Sequence, residues 1–568
     1  MNRAPSSLAR RYAPFLLLAA VQVALVAIVP STGGPTTTVG TIAAGPGANP
    51  SGEGLTGPEV PGAIAPVAPG ATGQSGSTAT ASGPRASTPT GGASAGPNAG
   101  PGRLTEDRSK CARGGVRQQD VTLSSPPCVP RFSGNNGGAT YQGVAADKVK
   151  ILRYRPKANA QVDAILRTQG LASTPEEEDA AQKSFAKFFD KHYEFYNRKI
   201  EWTWVQGNCE ITPPDVPCFR DEVKRLNAEH KPFAVFYAQS TTQGEFFEQW
   251  SQLGVINIGG WHFNSRFNQT FRPYHWDVFM DGTRTARNVA EYWCKKMGGK
   301  NATLAGDPLI RAKKRKLGVV TQDFEVTRSN AKDLVELVSG KMCGSPADAT
   351  EPFFTPSNIA TAQQTGFTMM EKFENEGVTT VVMLSDPIGP RFFTNAATGN
   401  GYFPEHLLAG SSLIDYDPLG RLYETSQWAN AFGPGHLGDP IPFAQSDAAR
   451  AASDGGDPTP YSGANLLFSY MAMAATQVQT AGPTLNPANV ERGMTSLPVG
   501  GGWELTKNPA SVMTKFGPGD YTAIEDSRHT YWDPGANSKI DGKPGAYIAL
   551  EGGRRWEIGT WPGGEPRK

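Results

Sequence analysis

The chain has 568 residues, enough for more than one compact unit, and its 54 basic and 53 acidic side chains leave a net charge of +1. No basic excess or stripe dominates, which argues against a nucleic-acid partner. The one basic cluster, Arg311, Lys313, Lys314, Arg315 and Lys316, reads as a solvated loop ahead of a strand.

Arg3, Arg10 and Arg11 precede an apolar run over 13–29 that stops at Pro30. That is the pattern of an export segment. The run sits at the lower limit for spanning a bilayer, about 17 residues, so a cleaved signal and an uncleaved anchor both fit. The arginine side stays cytoplasmic and the remainder faces outside. Membrane contact is expected through this segment alone. No cysteine precedes Cys111, which excludes a lipid-modified cysteine just after the signal.

Residues 31–106 read as a linker rich in Gly, Pro, Ser and Thr, nearly free of charge and unable to bury a core. A flexible chain of about 70 residues has an end-to-end distance of ~45 Å. The folded part is expected over 107–568.

Within the folded part, strands and helices alternate. Strands are expected at 149–154 (VKILRY), 199–205 (KIEWTWV), 233–238 (FAVFYA), 255–258, 317–321 and 379–384 (TTVVML). Between them the periodicity predicts helices at 175–198, 219–230, 242–253, 283–297, 326–339 and 359–376, the third opened by a capping box of Thr242 with Glu245. Short apolar strands alternating with helices imply α/β architecture, with parallel sheets covered on both faces. There are too many units for one small sheet, so two lobes with a cleft between them are expected.

Six cysteines in an exported chain suggest disulfides. About 15 pairings exist. Loop length favours Cys111 with Cys128 and Cys209 with Cys218, leaving Cys294 with Cys343. Cys-x-x-Cys is absent, and neither a metal nor a cofactor is expected.

The segment 135–150 (NNGGATYQGVAADKVK) and the strand after it resemble the start of type I periplasmic binding proteins. The subgroup is the leucine/isoleucine/valine-binding one, in its long actinobacterial form. The stretch 384–412 (LSDPIGPRFFTNAATGNGYFPEHLLAGSS) resembles its second-lobe motif, and YWDP at 531–534, DGKP at 541–544 and GGRRW at 552–556 resemble its tail. The resemblance implies two flavodoxin-like parallel-sheet lobes joined by hinge crossings, the first at about 145–281 and 415–515, the second at about 282–414 and 516–568. It implies a small-molecule ligand between the lobes and an ABC permease as partner. A membrane-tethered sensor without transport is the alternative. A secreted amidase fits poorly, because His-Glu-x-x-His is absent and the folded part, 107–568, carries no Gly-x-Ser-x-Gly.

Ligands of open α/β sheets collect outside the carboxyl ends of strands. Ser240, Thr241 and Thr242 follow one such end and open a helix, where free N–H groups and hydroxyls favour an anion. Thr242 suits helix capping equally. Gly260 and Trp261 follow the next strand; glycine lets backbone approach a ligand and tryptophan can cover its apolar part, or the pair forms a tight turn over the core. From the second lobe, Gln322, Asp323 and Asp386 follow strand ends, and Asp386 also suits capping the next helix. Amino-acid-binding members of the family hold the ligand amine on an acid after the strand resembling 406–409. Here Gly410, Ser411 and Ser412 stand there, with Asp415 and Asp417 nearest.

Overall fold

A computed structural model describes residues 102–237, 244–343, 348–457 and 463–566. The export segment and nearly all of the linker lie outside the described residues. Among the described residues no helix is long and apolar enough to cross a membrane.

The first lobe is built on β1 (Lys148–Arg155), β2 (Lys199–Gln206), β3 (Ala234–Tyr237), β4 (Ile256–Ile258) and β5 (His275–Trp276), all parallel, in the order β2-β1-β3-β4-β5. The pleat of β1 sorts its side chains: Val149 and Ile151 enter one core, Leu152 and Tyr154 the other. The first core is covered by α1 (Pro175–His192) together with the later helices 447–455 and 464–481, through Phe185, Phe188, Phe189 and Phe468. The second is covered by α2 (Val216–His230) and α3 (Gly244–Gln252) through Phe219, Leu226, Phe246 and Trp250. A capping box of Thr174 with Glu177 and a proline in the first turn start α1. It stops at His192, short of 198, because Tyr193 turns to extended backbone; Tyr193 and Tyr196 still reach the core from the loop.

The second lobe repeats the winding. Here β6 (Lys316–Gln322), β7 (Phe353–Thr355), β8 (Thr380–Leu384), β9 (Glu405–Leu407) and β10 (Ala431–Gly435) run parallel in the order β7-β6-β8-β9-β10. β11 (Asp526–Asn537) and β12 (Pro544–Ala549) then extend the sheet antiparallel. The sheet is therefore mixed where a parallel one was expected, since these strands follow each other by a short turn and not by a helical crossover. Val319, Val382, Leu407 and Phe432 pack on α4 (Gly282–Tyr292) and α5 (Glu325–Glu336); Val320, Val381 and Met383 pack on α6 (Ala362–Asn375) and α7 (Gly389–Asn400).

Four further expectations shift. Pairing reaches back to Arg103–Leu104, which lie against Phe132–Ser133, so 103–106 belong with the folded part and not with the linker. The second crossing lies between β10 and the helix starting at Asp447, well after 414, because Ala431–Gly435 completes the second sheet. The third lies near 525 and not at 515, since Phe516, Tyr521, Ala523 and Ile524 belong to the first lobe's core. Arg315, expected in a solvated loop, is fully buried and grips Glu405 with two hydrogen bonds of 2.8 Å.

Disulfides join Cys111 to Cys128, Cys209 to Cys218 and Cys294 to Cys343, and no cysteine is free.

Candidate functional site

The carboxyl ends of the two sheets look at one another across a cavity of about 1170 Å³. In each sheet the chain order reverses beside the first strand, at β1/β3 and at β6/β8, and the cavity draws its wall from both places. The lobes also touch directly. Ile359 donates its backbone N–H to Thr212 Oγ1 at 2.9 Å, and Arg421 donates to Gln169 Oε1 at 3.0 Å. Ile165, Leu166 and Leu171, from the segment after β1, pack on the second lobe's core.

Trp261, Gln322 and Asp386 line the cavity. Trp261 sits at φ 44° and donates Nε1–H to the Tyr470 hydroxyl at 2.7 Å, which fixes its ring edge-on against Phe279. Gln322 donates its amide to Asp386 Oδ2 at 3.0 Å, joining the ends of β6 and β8. Asp386 Oδ1 accepts the N–H groups of Ile388 and Gly389 at 2.8 and 2.9 Å. The carboxylate thus caps α7 and faces the cavity at once. Ser240, Thr241 and Thr242 lie outside the described residues.

The other two candidates sit elsewhere. Asp323 turns outward and pairs with Arg328 at 2.5 Å on the surface, because one step past Gln322 reverses the side-chain direction. Gly260 is not among the residues that line the cavity; it serves the turn, at φ 99°, where an added Cβ would lie 2.7 Å from the Phe263 ring.

Beside Trp261, His262 links the lobes. Its Nδ1 faces the Met280 carbonyl at 2.8 Å, and Nε2 accepts the Ser412 N–H from the second lobe at 2.8 Å. These partners fix the neutral ring with its proton on Nδ1. Burial lowers its pKa to about 4, against the opposing pull of the Met280 carbonyl. Ser412 thus meets the first lobe through His262, and Ser411 and Ser412 stand where the resemblance implied an acid. Asp415 lines the cavity, fully buried, with Oδ2 accepting the Leu437 N–H at 2.9 Å. Burial raises its pKa, and Arg528 counters part of the rise. Asp417 is structural, accepting from the Ser538 hydroxyl and the Tyr547 N–H.

Sequence reading passed over Arg153 and Arg155, at the end of β1. Both line the cavity, with Glu178 of α1 beside them. Arg153 and Glu178 form a buried ion pair, and Ser173 also donates its hydroxyl to Glu178. The available signal was two arginines at i, i+2 in a strand buried on both faces, where apolar residues are the rule.

No family model matches the sequence, and no curated protein matches it. Solved structures do. A solute-binding protein of an ABC transporter from Rhodopseudomonas palustris HaA2, in complex with p-hydroxybenzoic acid, superposes with a TM-score of 0.51 at 10% identity, over 72% of this chain and 98% of that one. A second solute-binding protein from R. palustris, with 4-hydroxybenzoate, gives 0.50 at 10% identity over 72% and 97%. The leucine-, isoleucine-, valine-, threonine- and alanine-binding protein of Brucella ovis, in its closed conformation, gives 0.49 at 12% identity over 74% and 99%. The fold is that of the type I periplasmic binding proteins.

Proposed function

We propose, from that fold as premise, that the chain is an exported solute-binding protein that traps a small polar solute between its lobes and delivers it to an ABC-type permease. The observation that carries this reading is the cavity of about 1170 Å³ bounded by strand ends from both lobes. Cavities of roughly 300–1,000 Å³ suit small ligands, and this one also accommodates water around the solute. Closure of two lobes about hinge crossings is an established way to bury such a ligand. On this reading Trp261 covers the apolar part of the solute. Gln322 and Asp386 meet its polar groups from the second lobe, and Ser240, Thr241 and Thr242 meet them from the first. The export segment at 13–29 carries the protein across the membrane and either leaves or anchors it.

The test is a thermal-shift screen of the full chain against amino acids, amides and small acids, the hydroxybenzoates included. A ligand at about 100 times its Kd stabilises by ~2.7 kcal/mol. A clear rise for one class, abolished by filling the cavity through Leu413→Trp, supports the reading. No rise with any of them overturns it.

A further inference from the structure

We infer that the first-lobe wall of the cavity contains a binding site for one carboxylate, formed by Arg155 with Arg153, so that the solute is a monoanion. This rests on the solute-binding reading and narrows its ligand class.

Arg153 and Arg155 project to the same side of β1, toward α1, since they are two residues apart on a strand. One carboxylate, Glu178, faces both guanidinium groups. Each of its oxygens already has a closer donor: Oε2 takes Arg153 and Oε1 takes the Ser173 hydroxyl. Arg155 Nη1 stands 3.6 Å from Glu178 Oε1, beyond hydrogen-bond distance, and it has no hydrogen-bond partner although it is buried. Arg155 as a whole is only 9% exposed. Among the described residues no other carboxylate comes within ion-pair distance of it. Lys157, next along the chain, is held by Glu210 at 2.6 Å.

Two guanidinium groups against one carboxylate leave one positive charge in this cluster, and the other carboxylates that line the cavity, Asp386 and Asp415 among them, lie beyond ion-pair distance of Arg155. Arginine cannot relieve this by losing its proton. A buried cation without a full set of acceptors is costly, and the cost falls when an anion arrives. The planar fork of N–H groups fits the two oxygens of a carboxylate. A single excess charge is neutralised by a carboxylate, whereas a phosphate dianion would reverse its sign. The site stands at the β1/β3 reversal, where an open α/β sheet offers strand ends to a ligand.

The experiment measures binding of benzoate, its neutral isostere benzamide, and inorganic phosphate to the full chain by calorimetry. The proteins are wild type, Arg155→Gln and Arg155→Lys. Benzoate is expected to bind wild type at least about tenfold more tightly than benzamide, and about tenfold more weakly in Arg155→Gln. Arg155→Lys, which keeps the charge and loses the fork, is expected to fall between them. Unliganded Arg155→Gln should melt no lower than wild type, because an incompletely paired buried charge has been removed. Equal affinity for benzoate and benzamide, or benzoate binding unchanged in Arg155→Gln, overturns the carboxylate site while leaving solute binding intact. Tighter binding of phosphate than of benzoate overturns the single-charge assignment. Binding of none of the three probes overturns the site, and the wider screen then decides separately whether any solute is held.

Discussion

Lowering the pH should loosen this protein through His262, and the size of the effect follows from its burial. The ring is neutral because burial depresses its pKa from 6.5 to about 4. The unfolded chain therefore takes up a proton between those two values while the folded chain does not. Stability is fully present above pH 6.5 and declines as pH falls toward 4. At 1.36 kcal/mol per pKa unit, the full change is about 3 kcal/mol, and about 2 kcal/mol of it is lost between pH 7 and pH 5. Protonation at Nε2 also turns the acceptor of the Ser412 N–H into a donor, so the loss falls on a contact between the lobes. The perturbation is His262→Gln, whose amide oxygen can still accept from Ser412 and does not titrate. Urea unfolding of both proteins at pH 7 and pH 5 isolates the residue, because other titrating groups cancel in the comparison. Wild type should lose about 2 kcal/mol more than the variant on going to pH 5. An equal loss in both would show that His262 is not held neutral, and the account of the contact between the lobes would fail.

Glu405→Gln should cost about 3–5 kcal/mol, read as a fall in melting temperature, because it breaks a fully buried two-bond pair with Arg315; a cost under about 1 kcal/mol would contradict the burial of that pair. Replacing Cys294 and Cys343 together by serine opens a loop of 49 residues and should cost about 4 kcal/mol in the chain-entropy model. Peptide mapping without reductant should recover this pair with the other two, and free thiols would refute the assignment. Asp323→Asn should leave both solute binding and stability within about 0.5 kcal/mol of wild type, since the side chain pairs at the surface. Asp386→Asn should weaken both, because that carboxylate caps α7 and faces the cavity; calorimetry that finds the two variants alike would remove Asp386 from the site.

Element types were legible in the sequence because they are encoded over short range. The apolar run 379–384 and the alternation of 199–205 each became a strand with ends within a residue or two of expectation. Loop length favoured pairing Cys111 with Cys128 and Cys209 with Cys218 without deciding among the alternatives, and the structure has both pairs. Of the candidate contacts, Trp261, Gln322 and Asp386 could be placed at strand ends, but Asp323 could not be separated from Gln322. Adjacent residues at a strand end point opposite ways, and which way is inward depends on the neighbouring lobe.

The tertiary structure decided what depends on distant partners. Ala431–Gly435 (AFGPG) carries glycine and proline and lacks a strand's usual composition; it is a strand because β9 and β11 hold it on either side. That placement moved the second crossing beyond 435. Arg315 looked like one member of a basic run, and only the approach of Glu405, ninety positions away, makes it a core residue. Arg153 and Arg155 were visible as letters. Their meaning came from Glu178 across the α1 interface and from the facing lobe. Periodicity fixes local conformation through a residue's own neighbours along the chain. The crossings, the buried pairs and the cavity wall are set by packing between segments far apart in sequence, which no local pattern contains.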